Sequence, residues 1–134
     1  MGASETWYPV LADVLALHAA MMRELGENAA PVMAGGKERL ESAIAAPQWA
    51  GLHADADLAE QAALVSIRIA QAHALVDNNK RLAYMVGVIF LRENGHPLPA
   101  EHALAFAKKI EAALEQRATV TSMAAWLREI IDAS

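Results

Sequence analysis

Two apolar stretches dominate this chain and restrict it to a helical fold. The first runs from Asp57 to about His73 and carries Ala62, Ala63, Leu64, Val65, Ile67, Ile69 and Ala70. The second, Leu82 to Leu91, is the longest apolar run in the sequence. It is too short to cross a bilayer, which takes about 20 apolar residues, so it reads as a buried core helix. Neither stretch alternates apolar and polar residues in the way a half-buried strand does. Asp57 followed by Glu60 is a capping-box pattern that opens the first helix, and Gly95 closes the second, which spans about Asn79 to Asn94. Because that second helix is apolar almost all round, its expected place is the middle of the bundle.

The rest of the chain divides at its prolines and glycines. A first helix is expected from Pro9 to about Leu25, followed by a loop over Glu27 to Gly36. A short helix from Lys37 to about Ala46 should stop at Pro47, which cannot continue a helix without losing a hydrogen bond. Gln48 to Ala56 then reads as irregular. Beyond the two central helices, Pro99 opens a helix to about Arg117, and Thr121 caps a last one carrying Met123, Trp126, Leu127, Ile130 and Ile131. The expectation is a single all-α domain over residues 1–134, a bundle of about six helices, with a short irregular flap around residues 47–56.

Composition narrows the function. Hydrophobic residues make up 55% and aromatics 5% of 134 residues, so the core is aliphatic, and there is no cysteine for disulfide or thiolate chemistry. A net charge of -5 argues against direct nucleic-acid binding, which needs a basic footprint. Met1 to Glu5 lacks the basic and apolar regions of a secretory signal, and with no spanning segment the expected location is cytoplasmic, without membrane association.

Between the apolar stretches lies His73-Ala74-Leu75-Val76-Asp77-Asn78-Asn79-Lys80-Arg81. Polar groups gathered where the chain is most apolar cost free energy unless they are paired or bind something. The second helix begins near Asn78 or Asn79, and its first N–H groups lack partners within the helix. Lys80 and Arg81 sit in its first turn, where cations oppose the helix dipole by up to about 1 kcal/mol. An anion held between the cations and the N–H groups would offset that cost. Asp77 can cap the helix, hold a divalent metal, or do both. His73 can take a proton from a hydroxyl near neutral pH. Together these are the parts needed for phosphoryl or nucleotidyl transfer.

His73, Asp77, Asn79, Lys80 and Arg81 match the pattern H-x-F-x-D-x-N-K-R of the Fic/Doc family, with Leu75 in the Phe position. Leu40-Glu41-Ser42-Ala43-Ile44, Pro47-Gln48 and Phe90-Leu91-Arg92-Glu93-Asn94-Gly95 also look like Doc, the death-on-curing branch, and the resemblance covers roughly residues 8 to 131. Fic proteins with Gly between the Asn and Arg usually transfer AMP from ATP. Doc proteins carry Lys there, as this chain does at Lys80, and bind the nucleotide in the reverse sense to transfer its γ-phosphate. The resemblance implies ATP and Mg²⁺ as cofactors, His73 as general base, Asp77 as a catalytic and metal-binding carboxylate, and Asn78, Asn79, Lys80 and Arg81 as phosphate-holding residues. It further implies a toxin of a toxin–antitoxin pair. The target would be a protein, with elongation factor Tu the best-known case. The antitoxin would fold a flexible tail into a groove on the bundle. Three residues depart from relatives: Leu75 for Phe, Gln71 where an Arg can stand, and Met85 where a polar residue sometimes stands. The chain lacks the Ser/Thr-x-x-x-Glu-Gly/Asn self-inhibitory segment of many Fic proteins, which points to control in trans. Two other functions stay open, an AMP or other NMP transferase and a non-catalytic helical binding module.

Other residues read more plainly. His18, His53, His96 and His102 show no metal-ligand spacing. Met21, Met22, Met85 and Met123 read as core fillers, Trp7 and Trp126 as packing anchors, and Lys108-Lys109 as a solvated face. Trp49 and Leu52 either pack or belong to the flap.

Overall fold

A computed structural model describes residues 5–26 and 32–133. The expected loop residues 27–31 lie outside the described residues. Within the described residues six α-helices follow one another: α1 (Leu11–Glu24), α2 (Gly36–His53), α3 (Leu58–Ala72), α4 (Asn79–Glu93), α5 (Ala103–Leu114, entered through a 3₁₀ turn at Ala100–His102) and α6 (Val120–Ala133). The all-α expectation holds. Among the described residues the only β pairing is an isolated antiparallel bridge between Val32 and Leu75. No described helix is long and apolar enough to cross a membrane.

The centre of the bundle is α3, not α4 as the all-round apolar pattern suggested. Helices α2, α4, α5 and α6 all pack on α3. Its buried residues lie on nearly every side, and most are small: Ala59, Ala62, Ala63, Ser66 and Ala70. Small side chains let several helices approach one axis, whereas the bulkier α4 buries a single face through Leu82, Ala83, Val86, Gly87, Phe90 and Leu91. One close approach is at Gly87, where an added Cβ would come within 2.2 Å of Ser66 Oγ and 2.8 Å of Phe106. Any side chain at 87 would force the two helices apart. Both Phe90 and Phe106 are fully buried, and Leu, Ile, Val, Ala and Met fill the remainder.

The helix starts come from different devices. Asp57 caps α3, its carboxylate accepting the Glu60 N–H at 2.9 Å, and it also accepts from Arg128 of α6 at 2.6 and 3.1 Å. One carboxylate thus starts the central helix and fastens the last one to it. The cap of α6 is Thr119 rather than Thr121. Thr119 Oγ1 accepts the Ser122 N–H and Ser122 Oγ accepts the Thr119 N–H, a reciprocal box in which serine takes the usual place of glutamate.

Pro47 does not end α2. The helix continues to His53, so the irregular flap expected over residues 47–56 is instead helix for most of its length. An interior proline costs about 3 kcal/mol. Here Pro47 is fully buried, and with Ala43, Ile44 and Ala50 it forms the face that α2 packs on α3. That burial outweighs the lost hydrogen bond. The N-terminal segment is pinned across the bundle: Tyr8 OH donates to Gln61 Oε1 at 2.6 Å, and the Asn94 carboxamide exchanges hydrogen bonds with the Trp7 backbone at 2.7 and 3.1 Å.

Candidate functional site

The turn between α3 and α4 is held in an unusual backbone path. His73 ends α3 at φ 45, ψ 46, and Asn78 precedes α4 at φ 68, ψ 25. Both are left-handed, a conformation uncommon for residues with a side chain and best tolerated by types such as Asn and His. Leu75, between them, is 3% exposed. Leucine fills the inward position where the family pattern has phenylalanine.

Asn79 is the main fastener. Its Oδ1 accepts the Leu75 N–H and its Nδ2 donates to the Leu75 carbonyl, both at 3.0 Å. The carboxamide is therefore engaged with the loop, and what Asn79 can offer an anion is its backbone N–H. Asp77 Oδ1 accepts the Asn78 N–H at 2.8 Å, which fixes the carboxylate beside the helix start. Asn78 Nδ2 lies 3.5 Å from Met22 Sδ, which ties the turn to α1.

At the start of α4 the first intrahelical donor is Leu82, whose N–H bonds the Asn78 carbonyl at 3.0 Å. The Asn78 side chain caps nothing. The N–H groups ahead of Leu82 and the positive end of the helix thus face the adjoining space. That space is a cavity of about 370 Å³ lined by His73, Val76, Asp77, Asn78, Asn79, Lys80, Arg81 and Leu114. All six polar residues singled out in the sequence meet there. Lys80 Nζ forms an exposed ion pair with Glu111 Oε2 of α5 at 3.3 Å, while Arg81 has no carboxylate partner among the described residues.

An uncapped helix start, two cations and one carboxylate suit a phosphate chain with a magnesium ion. Among the described residues no cluster of three or more His, Asp or Glu side chains could hold a metal alone. A magnesium ion here would complete its ligands with phosphate oxygens and water, which is how magnesium is usually held.

The structure separates other candidates from this cavity. Trp49 and Leu52 lie on the last turns of α2, 63% and 71% exposed, with the Trp49 ring 5.1 Å from that of His53. They do not line the cavity. Trp49 lines a different groove, with Ser42, Ala46, Leu64 and Arg68. Gln71 and Met85 are absent from the cavity wall as well. Lys109 is not simply solvated, since its ammonium sits 5.1 Å from the centre of the Trp126 ring. Sequence reading missed Glu111, Leu114 and Arg39. The first two are helix-face residues of α5, ordinary in the sequence, that only the packing of α5 brings to the turn. Arg39 Nε donates to the Ala72 carbonyl at 2.8 Å and Nη2 to that of His73 at 3.1 Å.

A search of curated proteins finds no match to the chain. The profile of the Fic/DOC family matches residues 8–91, from the N-terminal segment through the whole His73–Arg81 turn and most of α4. That is well over half of the chain and includes every cavity residue except Leu114. The protein belongs to the Fic/Doc family, whose members generally bind a nucleoside triphosphate with magnesium and transfer nucleotide-derived groups to proteins.

Proposed function

We propose that this protein is a Doc-type transferase that moves the terminal phosphate of ATP to a hydroxyl group of a target protein. The observation that carries this reading is Lys80 beside Arg81 in the first turn of α4, on a helix start that the Asn78 side chain leaves uncapped, around one cavity with His73 and Asp77. In this reaction the target hydroxyl oxygen bonds to the γ-phosphorus. The bond from that phosphorus to the ADP oxygen breaks, and ADP leaves with the electron pair. The hydroxyl proton passes to the His73 imidazole. Negative charge on the phosphates is met by the backbone N–H groups of residues 79–81, by Arg81, and by Lys80 once it leaves Glu111. Asp77 is the carboxylate available to a magnesium ion, which when bound would spread phosphate charge. It can also orient the incoming hydroxyl.

By resemblance to Doc, the target class would be a translation factor such as elongation factor Tu, and the protein would act as the toxin of a toxin–antitoxin pair. An apolar groove lined by Trp7, Pro9, Val14, Leu17, Val86 and Ile89 is a place for an amphipathic antitoxin segment. The Lys80–Glu111 ion pair favours a second reading. If it persists with nucleotide bound, Arg81 alone meets the phosphates, and the site comes closer to that of the AMP-transferring Fic proteins.

Cell extract, Mg²⁺ and ATP labelled on either the γ- or the α-phosphate separate these readings. Label from the γ position alone supports phosphate transfer, and label from the α position supports AMP transfer. If neither label reaches any protein, and His73→Ala matches wild type throughout, the transferase reading fails.

A further inference from the structure

The carbonyls of Ala72, the last residue of α3, and of His73 and Ala74 after it are all taken by one short stretch of chain that the proposed chemistry does not use. Arg39 donates from Nε to the Ala72 carbonyl at 2.8 Å and from Nη2 to the His73 carbonyl at 3.1 Å. The Met33 N–H donates to the Ala74 carbonyl at 2.8 Å. Arg39 also donates from Nη1 to the Ala34 carbonyl at 3.1 Å, so one guanidinium joins the strap to the helix end and to itself. The fit allows no slack. An added Cβ at Gly36 would sit 2.5 Å from the Ala74 oxygen, and Gly35 takes φ 72 to start α2 at this point.

The carbonyls of a helix's last turn have no partners within the helix, and a cation there is favourable. Arg39 supplies both the partner and the charge. What it holds is the residue at which the backbone leaves the helix, His73 at φ 45. Histidine takes that conformation more readily than most residues with a side chain, yet it remains a minority state that neighbouring contacts must favour. Were α3 to continue through residue 73, Cβ would leave the backbone in another direction and the chain would not turn inward at Leu75. The separation of His73 from the start of α4 therefore depends on the strap.

We propose that Arg39 is a positioning residue for His73: by capping α3 it fixes the left-handed turn that presents the imidazole to the phosphate cavity. This rests on the transferase reading only for its kinetic consequence. The hydrogen bonds of Arg39 go to Ala34, Ala72 and His73 and not to residues 77–81, so its loss should leave nucleotide binding alone.

The test compares wild type with Arg39→Ala, Arg39→Gln and Arg39→Lys. The His73 ring signals in carbon-13 NMR are assigned by their loss in His73→Ala. In R39A the His73 signals should shift and broaden, while the affinity for Mg²⁺–ATP by calorimetry stays within roughly twofold. The kcat for transfer should fall about tenfold or more at unchanged KM for ATP, because misplacing a reacting group costs rate rather than binding. R39K should restore part of both, since an ammonium can still donate to one carbonyl. Should R39A fail to fold, R39Q and R39K carry the same comparison. Ring signals identical to wild type in R39A or R39Q overturn the proposal, as does an unchanged kcat. If the wild-type protein transfers nothing, the transferase reading fails by itself and the ring signals still decide the role of Arg39.

Discussion

The double hydrogen bond between Asn79 and Leu75 gives the sharpest prediction, because two substitutions at one position should reorder stability and binding differently. Each bond is 3.0 Å long and partly buried. A hydrogen bond in such a setting contributes a net of about 1 kcal/mol. Asn79→Ala removes both and should cost about 2 kcal/mol. With a urea slope of about 1.5 kcal/mol per molar, the unfolding midpoint falls by about 1.3 M. Asn79→Asp keeps the acceptor for the Leu75 N–H and loses the donor. It also gains a little from placing negative charge at a helix N-terminus, so it should lose only about 1 kcal/mol. For Mg²⁺–ATP the order reverses. Alanine leaves the N–H groups, Lys80 and Arg81 in place and should weaken binding by only about threefold. Aspartate sets a carboxylate against the phosphates and should weaken it by at least about tenfold. Stability then ranks wild type, N79D, N79A, while affinity ranks wild type, N79A, N79D. Urea unfolding followed by circular dichroism and titration calorimetry read the two orders. N79A unfolding within about 0.5 kcal/mol of wild type, or N79D binding Mg²⁺–ATP as wild type does, would refute the reasoning.

Two further predictions concern charge. Glu111→Gln should release Lys80 and raise affinity for Mg²⁺–ATP by roughly two- to fivefold, with stability changed by less than about 0.5 kcal/mol because the pair is exposed; weaker binding in calorimetry would contradict this. Acid should destabilise the fold in two steps. Burial holds the His18 imidazole below its ordinary 6.5, so the unfolded chain takes up a proton that the fold resists, and stability drops as pH falls below 6.5. The hydrogen bond from Arg128, joined by that from the Glu60 N–H and the charge of Arg128, keeps the Asp57 carboxyl below its ordinary 3.8, against a smaller opposing effect of burial. Its contribution is complete above 3.8 and disappears as pH falls through the lower folded value. His18→Leu should flatten the first step and, since Nε2 of His18 is buried with no hydrogen-bond partner among the described residues, raise stability by about 1 kcal/mol. Asp57→Asn should flatten the second. Unfolding midpoints measured across pH check both, and a His18→Leu protein with an unaltered acid profile would exclude His18 as the source.

Much of this organisation was legible in the sequence for local reasons. Asp57 with Glu60 marked the start of α3 because a cap depends on residues three apart. Gly95 marked the end of α4 because a left-handed residue after a helix favours glycine, and it sits there at φ 87. His73, Asp77, Asn78, Asn79, Lys80 and Arg81 could be singled out together because they lie within nine residues. The errors share one origin. Pro47, the supposed flap at Trp49 and Leu52, and the placing of α4 at the centre were all judged from local preference, and each was decided by what packs against what. Arg39 and Glu111 could not be found by pattern at all, since each reaches the turn from a helix distant in sequence.

The sequence alone determined that this chain forms helices around an aliphatic core and that its family-motif residues gather in one polar turn, because helix periodicity, caps and motif spacing are properties of neighbouring residues. Tertiary structure decided that small-residue α3 occupies the centre, that α2 runs through its proline, that the Asn79 carboxamide holds the loop, and that Arg39 and Glu111 join the site. Those outcomes depend on burial and on hydrogen bonds between distant segments, which exist only once the helices have met.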